Sequence, residues 1–295
     1  MSAESDLGSI FLFGLLALIL LLIGWKRDFF SLPPEAKSWK FPILWIHVVL
    51  AFLIYFAVSS LLTPFLGKIL QHILFEHPSP ITPLSYASWI NFINSGTIFL
   101  FLICFLFCIP SLVRKELSLR TDPKPHSFWG DIRFACLGWI FSFPLVLFIN
   151  QLFDWIVANL FHIQQIPEQL AVYFLKMTFG HPLYLSFAII TIVIFAPLVE
   201  EILFRGFLQS FIRKHLGNYQ AIVITSLLFS FFHYSPEQGI ANMTIIASLF
   251  VFSLFLGFIY EKRGSLLAPM TLHALFNAVN VCNLYFLGGI PKGPL

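Results

Sequence analysis

The sequence predicts an all-α fold, a polytopic membrane bundle of about eight transmembrane helices, on three observations. Hydrophobic residues make up 58% of the 295-residue chain and charged residues only 11%, less than half of the roughly 25% found in soluble domains. The apolar residues come in long runs separated by short polar clusters, as in membrane-spanning helices, and not in amphipathic stripes around a soluble core. Lys and Arg are plentiful in alternate connections and sparse in those between.

The spans fall at roughly 8–25, 41–62, 91–113, 134–158, 183–212, 219–236, 241–260 and 266–287. The first lacks a basic leader, since Glu4 and Asp6 precede it, and no small-residue cleavage site follows. It reads as a retained helix, not a cleaved signal. Lys26, Arg27, Lys37 and Lys40 follow span one; Arg114, Lys115, Arg120, Lys124 and Arg133 follow span three. Arg205, Arg213 and Lys214 belong to the end of span five, and Lys262 and Arg263 follow span seven. Only Lys68, Lys176 and Lys292 fall on the other side. The positive-inside rule makes the rich side cytoplasmic and both termini external.

The external connections are 63–90 and 159–182, where "ITPLSYASW" and "PEQLAVYFLKMTF" read as loops or short interfacial helices. Trp89, Tyr173 and Phe174 suit headgroup depth. A Pro-rich cytoplasmic linker, 114–133, closes an N-terminal region, 1–133; a fourth span and external connection, 134–180, and a core, 181–288, follow. No internal repeat supports an inverted-repeat transporter. Cys104, Cys108, Cys136 and Cys282 form no C-x-x-C pair and read as buried small hydrophobes. No nucleic-acid partner is expected.

Charged groups at membrane depth are costly and functional by default. In "APLVEEILFRG", Glu200 and Glu201 precede Arg213-Lys214 by 13 residues, about 20 Å along a helix. His233 lies about 21 Å into span six, counted from Tyr219. His273 and Asn277 lie about 15 and 21 Å beyond Arg263. Three helices thus place Glu, His, His and Asn in one layer near mid-membrane. His273 and Asn277 are i,i+4, and so are Glu201 and Arg205, in the favourable acid-first order. Arg205 offers Glu201 a neutralising partner and leaves Glu200 to face another neighbour. Pro197 should disturb the helix and free a backbone carbonyl.

A desolvated carboxylate can take a proton from water as general base, and imidazole and carboxamide donors can stabilise a tetrahedral oxyanion. Peptide hydrolysis needs these groups. Alternatively, Glu200, His233 and His273 could ligate a zinc ion that lowers the pKa of its bound water. There is no H-E-x-x-H, and Ser226 and Ser230 read as helix-packing residues.

"EEILFR" fits E-E-x-x-x-R, "FSFFH" fits F-x-x-x-H and "HALFN" fits H-x-x-x-N. In this order, on separate spans, they resemble the signature of the CPBP intramembrane proteases, which include the type II CAAX prenyl endopeptidases and the bacterial Abi proteins. The resemblance covers residues 181–288. It implies an eight-helix membrane fold with a conical cavity open to the cytoplasm. It also implies that Glu200 activates water with help from His233, that His273 and Asn277 stabilise the oxyanion, and that Glu201 and Arg205 organise the site. It implies a lipid bilayer and a membrane protein or lipidated, prenylated (CAAX-type) peptide substrate as partners. No tightly bound catalytic metal or other cofactor is expected, zinc being the alternative. A bacterial inner membrane is the expected location.

Two other function classes use the same residues: a proton-coupled transporter, since Glu and His chains relay protons in membranes, and a peptide- or lipoprotein-binding protein without catalysis. A buried polar network that only fixes helix register is the structural reading. His47 reads as hydrogen-bonded within the bundle, and Asn91, Asn94 and Asn150 as interfacial or interhelical polar groups. Glu261-Lys262-Arg263 reads as a solvated cytoplasmic turn. The topology is testable with an epitope inserted into either loop. Within 159–182 it should be reached by antibody from outside intact cells, and within 114–133 only after permeabilisation.

Overall fold

The computed structural model describes residues 3–32, 43–75, 83–117, 127–163 and 169–287. All regular structure among them is helical. An open sheet edge or bare loop has no water to bond with inside hydrocarbon, whereas a helix satisfies its backbone internally. Helix α1 is Ala3–Lys26, and α2 runs unbroken from Trp45–Ala57 through Val58–Leu62 into Thr63–Phe75. Then come α3 (Pro83–Cys108), α4 (Ser111–Leu117), α5 (Phe128–Leu160) and α6 (Leu170–Met177). The last are α7 (Pro182–Leu216), α8 (Asn218–Phe232), α9 (Ala241–Arg263) and α10 (Leu267–Leu287).

Among the described residues six helices, within α1, α2, α3, α5, α7 and α9, are long and apolar enough to cross a membrane. The other two expected spans fall short of that measure. Helix α8 has 15 residues, about 22 Å against a hydrocarbon core of about 30 Å. Helix α10 has 21 residues, but His273, Asn277, Asn280 and Asn283 dilute its apolar run. Residues 83–89 are not a separate interfacial segment but the first turns of α3. Of the Pro-rich linker, 118–126 lies outside the described residues, as do 164–168 of the second external connection. Lys37, Lys40, Arg120, Lys124 and Lys292 also lie outside them.

The chain forms two compact units. The first comprises Met1–Trp39, Leu119–Leu170 and Ile212–Leu272. Here α5 packs against α1 and α9, and α9 against α8. Phe29, just past α1, stacks on Phe134 with ring centroids 5.0 Å apart and meets Phe141 at 4.5 Å. Span six was expected to reach 236, but α8 stops at Phe232 and the chain turns through Pro236–Gln238. Asn242 makes the break tolerable. Its Oδ1 accepts from Ser235 N–H at 3.1 Å, and its Nδ2 donates to the Ser235 and Gly239 carbonyls at 2.7 and 2.9 Å.

The expected solvated turn at 261–263 is instead the last turn of α9, and its charges are paired. Arg213 Nη1 donates to Glu261 Oε2 at 2.9 Å with both side chains buried, and Arg263 pairs with Asp131 at 2.8 Å. The Lys262 ammonium donates to Ser31. Arg213, Lys262 and Arg263, counted above on the basic-rich side, thus also tie helix ends together.

The second unit comprises Lys40–Ser118, Ala171–Phe211 and His273–Leu295. Helix α3 packs along the first half of α7, and α2 packs against α3 and against Ile202–Gln209. Thr63 Oγ1 donates to Asn94 Oδ1 at 2.7 Å between α2 and α3, an interhelical role for Asn94. His47 serves its own helix end, not the bundle: its Nδ1 accepts the Leu44 N–H at 3.0 Å. The four cysteines are free and exposed. They are not the buried small hydrophobes expected: each is exposed in a run that also holds buried residues such as Leu102, Ala135 and Val281.

In the first unit, α5 and α9 approach closely at Gly138. A Cβ there would lie 2.2 Å from Ile259 Cδ1, and Ile259 is fully buried. Gly138→Ala is therefore expected to cost about 1–3 kcal/mol by overpacking. Thermal unfolding in detergent should show that loss shrinking in an Ile259→Val background, where the clashing methyl is gone.

Candidate active site

Helix α7 carries both adjacent carboxylates, and its backbone is irregular around them. The α-helical stretch Ala196–Glu201 lies between two π-helical stretches, Thr191–Phe195 and Ile202–Gln209. Such wider turns are rare and concentrate at functional sites. The disturbance expected of Pro197 takes this form, with the π-helical turn directly preceding Ala196.

Within the second unit, Glu200, Glu201, Arg205, His273 and Asn277 come together. Glu201 and Arg205 are both fully buried, and Arg205 Nη1 donates to Glu201 Oε1 at 3.1 Å, the i,i+4 pair predicted by the spacing. The same Oε1 meets His273 Nδ1 at 2.8 Å. An ionised carboxylate only accepts, so His273 donates from Nδ1 and presents Nε2 elsewhere. Nε2 lies 3.9 Å from Glu200 Oε2. Side-chain exposure separates the two acids: 16% for Glu200, none for Glu201. Glu200 is the one that keeps some exposed surface, although its Oε2 is buried. Arg205 interacts electrostatically with both.

Asn277, one turn beyond His273, donates from Nδ2 to the Ile192 carbonyl at 2.8 Å. His233 belongs to the first unit. It lies just past the last residue of α8, not inside a longer helix, and its Nδ1 is 2.9 Å from the Phe229 carbonyl. Ser230 Oγ donates to Leu227 O on the same helix, in keeping with a packing role.

Tyr55, half-buried on α2, stands close enough to Glu200 for the two to interact electrostatically. Nothing in the spacing of span two singles it out, because a tyrosine in an apolar run is ordinary. Asn242, which completes the chain break after His233, was equally silent in sequence.

A catalytic zinc takes three protein ligands. Among the described residues no three His, Cys, Asp or Glu side chains are grouped so as to hold a metal. No step below passes through a metal.

Residues 182–279 match the family model of the Rce1-like, type II CAAX prenyl endopeptidase proteins. An uncharacterized protein of Bacillus subtilis (strain 168), YpbD, is 28% identical over 156 residues, covering 53% of this chain and 71% of that protein. No solved structure matches. The six candidate site residues all lie inside the stretch that is similar to the type II CAAX prenyl endopeptidase Rce1-like family.

Proposed function

We propose that the protein is an intramembrane endopeptidase that hydrolyses a peptide bond of a membrane-associated substrate, with a prenylated CAAX-type protein as the first candidate. The observation that carries this reading is the gap of 3.9 Å between Glu200 Oε2 and His273 Nε2, beside a fully buried Glu201–Arg205 pair. Polar groups at that separation suit a bridging water.

In this reading Glu200 takes a proton from the water as its oxygen attacks the scissile carbonyl carbon. The oxyanion forms opposite donors from His273, and from Asn277 through the amide hydrogen not given to Ile192. The C–N bond then breaks, and the protonated Glu200 returns its proton to the leaving amine. Glu201 holds the His273 ring in place, and Arg205 holds Glu201. His233 is retained as an assistant on its F-x-x-x-H motif alone. The family match supports the protease class, and the Glu200–His273 geometry supports the acid–base assignment.

The test compares purified wild type with Glu200→Gln on a prenylated CAAX peptide and on a membrane proteome extract, with and without a zinc chelator. Mass spectrometry of new peptide termini should show cleavage by wild type, reduced about 10²–10⁴-fold in the variant and unaffected by the chelator. Equal termini from both proteins would overturn the assignment of Glu200, and loss on chelation would overturn the metal-free route.

A further inference from the structure

The π-helical turn before the carboxylates is incomplete by its own register. Ala196 N–H donates five residues back, to Thr191 O. The next bond in that register would run from residue 197 to Ile192 O, but residue 197 is a proline and has no N–H. Inside a membrane a carbonyl left without a donor is costly, and neighbouring side chains are the usual remedy. The donor here comes from α10: Asn277 Nδ2 sits 2.8 Å from the Ile192 carbonyl.

Helix α10 therefore grips α7 on both sides of Glu200. Asn277 holds the turn before it at Ile192, and His273 holds the next residue at Glu201, 2.8 Å away. The i,i+4 spacing of His273 and Asn277 puts both contacts on one face of α10. We propose that Asn277 is a positioning residue: its amide replaces the N–H that Pro197 lacks, completing the π-helical turn that aims Glu200 at His273. An amide carries two donors, so the bond to Ile192 leaves one hydrogen for substrate. Pro197 and Asn277 thus form a matched pair, the first creating the vacancy that the second fills. The inference rests on the proposed hydrolysis only for what Glu200 is aimed to do; the bond itself is independent of it.

A double-mutant cycle on the full chain in detergent tests this: Asn277→Asp, which keeps the shape and removes the donor, Pro197→Ala, which restores the N–H, and both together. Amide hydrogen exchange of peptides covering residues 190–201 is the first readout. Asn277→Asp should speed exchange there by at least about twofold, and in the Pro197→Ala background it should add little. Equal acceleration in both backgrounds overturns the proposal. Should the Asp variant fail to accumulate, Asn277→Ala completes the same cycle. Positioning is read separately on a substrate that wild type cleaves: adding Pro197→Ala should raise kcat of the Asn277→Asp protein part of the way towards wild type, the oxyanion donor still being absent, and leave KM unchanged. Exchange coupling without that recovery overturns the positioning role. If wild type cleaves nothing, the hydrolytic reading fails, while the exchange cycle still decides whether Asn277 completes the turn.

Discussion

Within hydrocarbon no water stands ready to accept from an unpaired N–H or donate to an unpaired carbonyl, and this constraint governs the molecule at every scale. It explains why the described regular structure is helical throughout, and why α2 and α7 continue through π-helical turns without opening into loops. Where the backbone does depart from a helix, a side chain completes it. After His233 the chain turns through Pro236–Gln238, and Asn242 bonds Ser235 twice and Gly239 once. Before Glu200, Pro197 withdraws an N–H and Asn277 supplies one.

The same absence of water governs the charges. A lone buried ion costs several kcal/mol, while a paired and hydrogen-bonded one can be held. Glu201 is tolerable at zero exposure because Arg205 and His273 both bond its Oε1. Arg213 and Glu261 follow the same rule in the first unit. Glu200 differs in retaining some exposure, which suits the proton exchange proposed for it. Two adjacent residues of identical chemistry thus acquire different roles from their surroundings.

Much of the candidate site was legible because its residues are polar where almost everything near them is not. Glu200, Glu201, Arg205, His273 and Asn277 stand out in their runs, and helical spacing alone pairs Glu201 with Arg205. The contact of His273 with Glu201 was not legible, because it joins residues 72 positions apart and depends on how two helices pack. Tyr55 and Asn242 were invisible for a related reason: a tyrosine or asparagine in a membrane run has many ordinary uses, and only its neighbours show which applies.

By itself the sequence determined the membrane environment, most of the spans and the three motifs, since these depend on composition and local spacing. Tertiary structure decided what depends on packing. It ended α8 at Phe232 and placed His233 just beyond it. It turned Glu261 from a solvated residue into half of a buried pair. It also brought Asn277 to the carbonyl beside Pro197. A proline announces in sequence that a carbonyl will lack its donor, but only the packing of another helix decides which side chain provides one.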